Sequence, residues 1–204
     1  MRQYFCPKQS RMSQRGKYPA FRWQVTPGFC VTMAMLLLVD EGHGLIVWIL
    51  LASVCHEMGH LAAAQWQGLE IRSLTLSAMG AELDISRRCS YWRELLLILC
   101  GPLVNLSLAT LCCHMPGQKT HLFAGINLLL ALFNLLPIPP LDGGEAVRLV
   151  AEWLLPGRAA CLVSDLLADL TCVLFIALGL RFALQGNLML LMLGIWLLLG
   201  RTGR

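Results

Sequence analysis

From Leu95 to Cys113 nineteen consecutive residues carry no charged side chain, and 182–200 is a second run of the same length. In hydrocarbon such a segment satisfies its backbone only as a helix, because each N–H or C=O left open to lipid costs several kcal/mol. Charged residues make up only 14% of the 204 and the apolar class 57%, against about 25% charged in an average soluble domain. Apolar stretches run over 24–39, 44–66, 94–114, 121–136, 160–184 and 187–200. A span needs about 20 residues, so the second, third and fifth are long enough, whereas the first, fourth and last are short. The pattern predicts an all-α polytopic membrane protein of about six transmembrane helices.

The first 27 residues hold six Lys or Arg and no acid. No small-residue cleavage site follows them, so residues 1–27 are expected to be a retained basic tail and 28–204 a single membrane-embedded domain. With six spans and the N-terminus inside, fourteen of the sixteen Lys and Arg fall on the cytoplasmic side, leaving Lys119 and Arg181 opposite. That bias follows the positive-inside rule and predicts a multi-pass cell-membrane protein with both termini cytoplasmic. The tail is suited to anionic lipid headgroups of the bilayer. It has little aromatic interleaving and no nucleic-acid motif, so nucleic acid is not an expected partner. The nine cysteines form no CxxC pair, and no disulfides are expected.

Two segments depart from the spanning pattern. In residues 70–86 Leu74, Leu76 and Ala78 alternate with Thr75 and Ser77, and after Gly80 the alternation resumes with Ala81, Leu83 and Ile85. Period two on both sides of a glycine predicts a small membrane-associated β-hairpin. Its edge would either pair with an extended substrate segment or simply cover the site. Residues 145–155 place Glu145, Arg148 and Glu152 on one face of an otherwise apolar helix, as suits a helix along the cytoplasmic interface.

The second span contains His56, Glu57 and His60. Histidines four apart stack on one helical face and can share a metal ion, and the carboxylate beside the first reaches a water held there. Zinc lowers the pKa of such a water, and Glu57 is the expected general base and acid. Ionisable groups inside a span are costly and usually mark function. Two imidazoles leave zinc one protein ligand short of the usual three. At 1.5 Å per residue His56 and His60 lie ~10–17 Å from the span's inner end at Gln67. The fourth span ends on that side at Pro137, Pro139 and Pro140, which cannot continue a helix. Asp142 follows, on chain expected to be irregular and near the same depth. It is the predicted third ligand; the competing reading makes Asp142 and Glu145 a capping box for the interfacial helix.

HEMGH, CGPLVNL (Cys100–Leu106) and NLLPIPPLDGG (Asn134–Gly144) stand in the order found in the site-2 protease family of intramembrane zinc metalloproteases, which this chain resembles over about residues 44–150. The resemblance implies zinc on His56, His60 and Asp142, with Glu57 as catalytic acid and base. It places the family's GPxxN element on Gly101, Pro102 and Asn105, and the asparagine before its LDG element on Asn134. Asn105 and Asn134 either orient substrate or make interhelical hydrogen bonds. The chain has room for neither the PDZ nor the CBS domain of some members. It is most similar to the compact branch that includes a sporulation protease releasing a sigma factor from its pro-form.

The expected function is therefore zinc-dependent hydrolysis of a peptide bond in or near a transmembrane segment of a membrane protein, with release of a transcription or sigma factor as one outcome. A membrane-protein regulator is a further expected partner. The alternative is a catalytically silent relative that binds membrane helices as a chaperone or scaffold. A zinc transporter would need a polar path, and the spans show one polar cluster. Asp165 and Asp169, four apart in the fifth span, are assigned no role.

Overall fold

The computed structural model describes residues 22–26, 44–69, 71–77, 80–85 and 90–202. Six helices and three strands follow one another: β1 (Arg22–Val25), α1 (Leu45–Trp66), β2 (Ile71–Ser77), β3 (Gly80–Ile85), α2 (Tyr91–Cys113), α3 (Gln118–Asn134), α4 (Asp142–Leu154), α5 (Gly157–Ala183) and α6 (Met189–Thr202). Among the described residues α1, α2 and α5, with 22, 23 and 27 residues, are long and apolar enough to cross a bilayer. At 1.5 Å per residue they measure about 33, 35 and 40 Å, against a hydrocarbon thickness of roughly 30 Å. Helices α3 and α6 have 17 and 14 residues and fall short of that thickness when straight. Among the described residues three spans are therefore supported by length, and most of the first predicted span lies outside them.

The first predicted span, 24–39, changes character at its start. Residues 22–25, divided between the basic tail and that span, form strand β1 instead; 27–43 lie outside the described residues. β1 pairs in parallel with β2, and β2 pairs antiparallel with β3, giving the order β1-β2-β3. The 70–86 segment is thus an antiparallel pair extended by a third strand from before α1. Leu76 lies on the central strand, opposite both Val25 and Ala81. The sheet's outer sides belong to β1 and β3, so a proline at Leu76 would break two ladders rather than test an edge.

Packing is inverted relative to a soluble protein. Most buried helical positions are small: Ala52, Ala63, Ala64, Ala109, Ala131, Ala160 and Ala168 are all 6% exposed or less. Large apolar side chains point outward, with Leu129 at 70%, Leu170 at 68% and Leu166 at 65%. Lipid removes the drive to bury leucine, so helices gain most where small residues let backbones approach. Gly59 shows this on α1, where a Cβ would stand 2.7 Å from the Cys100 carbonyl oxygen of α2.

A compact core does form beneath the proline-rich turn. Ile138 and Leu141 pack with Cys172 of α5 and Leu197 of α6, flanked by Phe133, Leu136 and Leu193. The chain turns over 135–141 and re-enters helix at Asp142. Gly143 and Gly144 let the first turn of α4 lie directly on that turn: a Cβ on Gly143 would overlap the Leu135 carbonyl, and one on Gly144 the Pro139 nitrogen. Both obstacles are backbone and cannot swing aside. We expect Gly143→Ala to destabilise the protein by about 1–3 kcal/mol and to shift Asp142; an unchanged thermal midpoint with unchanged zinc content would contradict this packing.

Helix α4 carries the predicted charged face. Arg148 Nη2 lies 3.2 Å from Glu145 Oε2, and its Nε 3.8 Å from Glu152 Oε1. These half-exposed pairs contribute little stability, but they keep one side of α4 polar while Gly143, Ala146 and Leu149 face inward.

Candidate active site

Helix α1 places His56 and His60 on its buried face, 5% and 8% exposed. Their Nε2 atoms lie 3.2 Å apart. The orientation of His60 is fixed from behind: its Nδ1–H donates to the Leu97 carbonyl of α2 at 2.8 Å, leaving the Nε2 lone pair to point inward. His56 Nδ1 has no hydrogen-bond partner among the described residues. Asp142 comes from the far side of the bundle. Its Oδ2 stands 3.0 Å from His56 Nε2 and 3.4 Å from His60 Nε2.

The backbone at Asp142 differs from the sequence expectation. Asp142 is the first residue of α4 rather than irregular chain, and Leu141, in extended conformation, is the N-cap. No side-chain capping bond forms there, so the capping-box reading fails: the carboxylate is turned to the imidazoles.

The donor set fits zinc. Nitrogen and oxygen donors about 2.0–2.1 Å from a tetrahedral ion stand roughly 3.3 Å from one another. The observed separations of 3.0, 3.2 and 3.4 Å bracket that value. His56, His60 and Asp142 are the group of three His, Cys, Asp or Glu donors with such spacing among the described residues. A His2Asp set also leaves a fourth tetrahedral position for water or substrate.

A cavity of about 210 Å³ opens beside these donors. Glu57, Ser53 and Asn134 add polar groups to its lining, and Leu130, Phe133, Pro140, Leu141 and Trp196 add apolar ones. The Ser53 hydroxyl is tied to its own helix, donating to the Ile49 carbonyl at 2.9 Å. Asn134 likewise donates from Nδ2 to the Leu130 carbonyl at 2.9 Å while lining the cavity. Asn105 is placed differently. It is fully buried on α2, is not among the cavity-lining residues, and neither side-chain polar atom has a partner among the described residues. Asp165 and Asp169 lie on the exposed side of α5, away from the cavity.

Two further contributors are Gly101, which the resemblance placed in the GPxxN element without giving it a role, and Trp196. Gly101 lies flat against the imidazoles: a Cβ there would overlap His60 Nε2 and come within 2.9 Å of His56 Nε2. The neighbouring Pro102 within α2 was the local hint that this turn is special. We expect Gly101→Ala to push the rings apart and to weaken zinc binding by about 10-fold or more, as read by competition with a chelator; unaltered affinity would mean the rings give way freely. Trp196, from near the end of the chain, had no signal at all.

The profile of peptidase family M50 matches residues 113–178, which include the proline turn and Asp142. Over those residues this chain is similar to peptidase family M50. Over 127 residues it is 35% identical to a candidate zinc metalloprotease of Synechocystis, covering 56% of this chain and 33% of that protein. It is 29% identical over 144 residues to stage IV sporulation protein FB of Bacillus subtilis, covering 67% of this chain and 50% of the relative. The chain thus spans a third to a half of the length of the curated relatives it matches. Its fold is similar to that of the site-2 protease from Methanocaldococcus jannaschii, with a TM-score of 0.66 over 93% of both chains at 18% identity. That shared fold accounts for helices α1 to α6 as one bundle around the His-His-Asp cluster.

Proposed function

We propose that this chain is a zinc-dependent endopeptidase that hydrolyses a peptide bond in or near a transmembrane segment of a membrane protein. The observation that carries this is the convergence of His56, His60 and Asp142 within 3.4 Å of one another, beside a cavity that Glu57 lines. His56 and His60 from α1 and Asp142 from α4 would hold the ion. When bound, zinc supplies Lewis acidity, activating water and polarising the scissile carbonyl.

Glu57 does the proton work. Its carboxylate accepts a proton from the attacking water and returns it to the departing amide nitrogen. Asn134, whose Nδ2 is tied to the Leu130 carbonyl, offers its amide oxygen to the N–H of an extended substrate. Asn105 is fully buried one turn from Gly101 on α2, outside the cavity lining. A peptide bond inside an intact helix is shielded by the helix's own backbone hydrogen bonds. The substrate therefore enters as locally unwound chain.

With both termini cytoplasmic, the site lies in the cytoplasmic half of the bilayer. A cut there in a membrane-held transcription-factor or sigma-factor precursor frees its soluble portion. The likeness to a sporulation protein supports that substrate class. The experiment compares membrane proteomes of cells carrying the native chain and Glu57→Gln. A membrane precursor that accumulates only in the variant is expected. No difference under any growth condition would favour the silent-scaffold alternative.

A further inference from the structure

Helix α6 enters the cavity through a single side chain, Trp196. Its neighbour Leu197 is 2% exposed and locked into the core with Ile138, Leu141 and Cys172. Successive helical residues are rotated by about 100°, so with Leu197 fixed in that core Trp196 is turned onto the cavity. The helix is also held by its backbone: a Cβ on Gly179 of α5 would stand 2.6 Å from Leu191 Cα, and Gly194 packs on Ile176. The backbone that carries Trp196 is thus held in place. Trp196 itself remains 40% exposed, so it stands at the rim of the cavity rather than in its floor.

The cavity lining mixes two chemistries. Glu57, Asn134 and the donor cluster are polar, and Leu130, Phe133, Pro140, Leu141 and Trp196 are apolar. An extended chain crossing the donors projects successive side chains in opposite directions, so a side chain beside the scissile bond meets these apolar groups. Phe133 and Leu141 belong to the core below and cannot vary without disturbing it. Trp196 is outside that core and is the largest of these apolar groups.

We propose that Trp196 is the specificity-determining residue of this site: its indole closes the apolar subsite next to the scissile bond and restricts it to small apolar side chains. The inference rests on the peptidase reading above and adds the substrate feature that reading leaves open. Substituting Trp196 leaves the donors and the general base untouched and opens the rim of the subsite.

The test uses zinc-loaded full-length protein in detergent micelles and three N-acylated peptidyl hydroxamates, which chelate zinc and carry a methyl, isobutyl or benzyl side chain. Binding is measured by calorimetric titration, so the readout does not depend on hydrolysis. The native chain is expected to favour methyl over benzyl. Trp196→Ala should shift the benzyl-to-methyl affinity ratio by about 10-fold or more towards benzyl, with Trp196→Phe between them and zinc content equal in all three. A structural role alone would move the three affinities together. An unchanged ratio in Trp196→Ala, with all ligands bound, overturns the proposal and leaves the peptidase reading standing. If no hydroxamate binds the zinc-loaded native chain, the cavity does not accept extended chain at the donors, and both fall.

Discussion

Replacing Glu57 by Gln is expected to lower kcat by roughly 10²–10⁴-fold while leaving zinc bound. The amide keeps the shape and polarity of the carboxylate but cannot accept a proton, and positioned acid–base catalysis contributes about that factor. Glu57 lines the cavity but is not one of the three converging donors, so metal content should not change. Hydrolysis of a detergent-solubilised unfolded protein such as casein, with metal analysis of the same samples, separates the two properties. Full activity in the variant would assign the proton transfer to another group. Loss of zinc would make Glu57 a ligand.

Asp142→Ala should produce the complementary result, with zinc affinity falling by about 100-fold or more and the fold retained. A catalytic zinc site usually has three protein ligands, and a direct ligand counts for more than the outer partners whose loss costs 10–100-fold. Helix α4 should survive, because Leu141 and not Asp142 is its N-cap and no side-chain cap is lost. Equilibrium dialysis against a chelator gives the affinity, and circular dichroism checks the helices. Normal zinc binding with native helicity would mean that the third donor lies elsewhere. Gly143→Ala provides an independent comparison, since it displaces the same carboxylate without removing it.

The chemistry of the site was legible because it is written in local patterns. The i, i+4 spacing of His56 and His60 specifies one face of a helix wherever that helix sits. The apolar runs fix the long helices for a similar reason: in hydrocarbon a backbone has few ways to satisfy itself. The position of Asp142 followed from the prolines before it, although its conformation did not. The expected irregular chain is the first turn of a helix, because Gly143 and Gly144 allow α4 to begin directly on the 135–139 backbone. Strand β1 was hidden for another reason. Four residues, Arg22–Val25, carry too little period-two signal to be separated from the apolar run that follows.

By itself, then, the sequence determined the elements that depend on neighbours along the chain: three helices long enough to span, a charged amphipathic helix, a short antiparallel strand pair, and a histidine pair with a carboxylate beside it. Tertiary structure decided what meets across the bundle. It brought Asp142 to within 3.0 Å of an imidazole 86 positions earlier, set Gly101 against both rings, gave the Leu97 carbonyl to His60, and added Trp196 to the cavity from the last helix. The physical reason is that such contacts depend on which small residues allow two backbones to approach. A glycine or alanine in a long apolar run does not show in advance which neighbour will fill the space beside it.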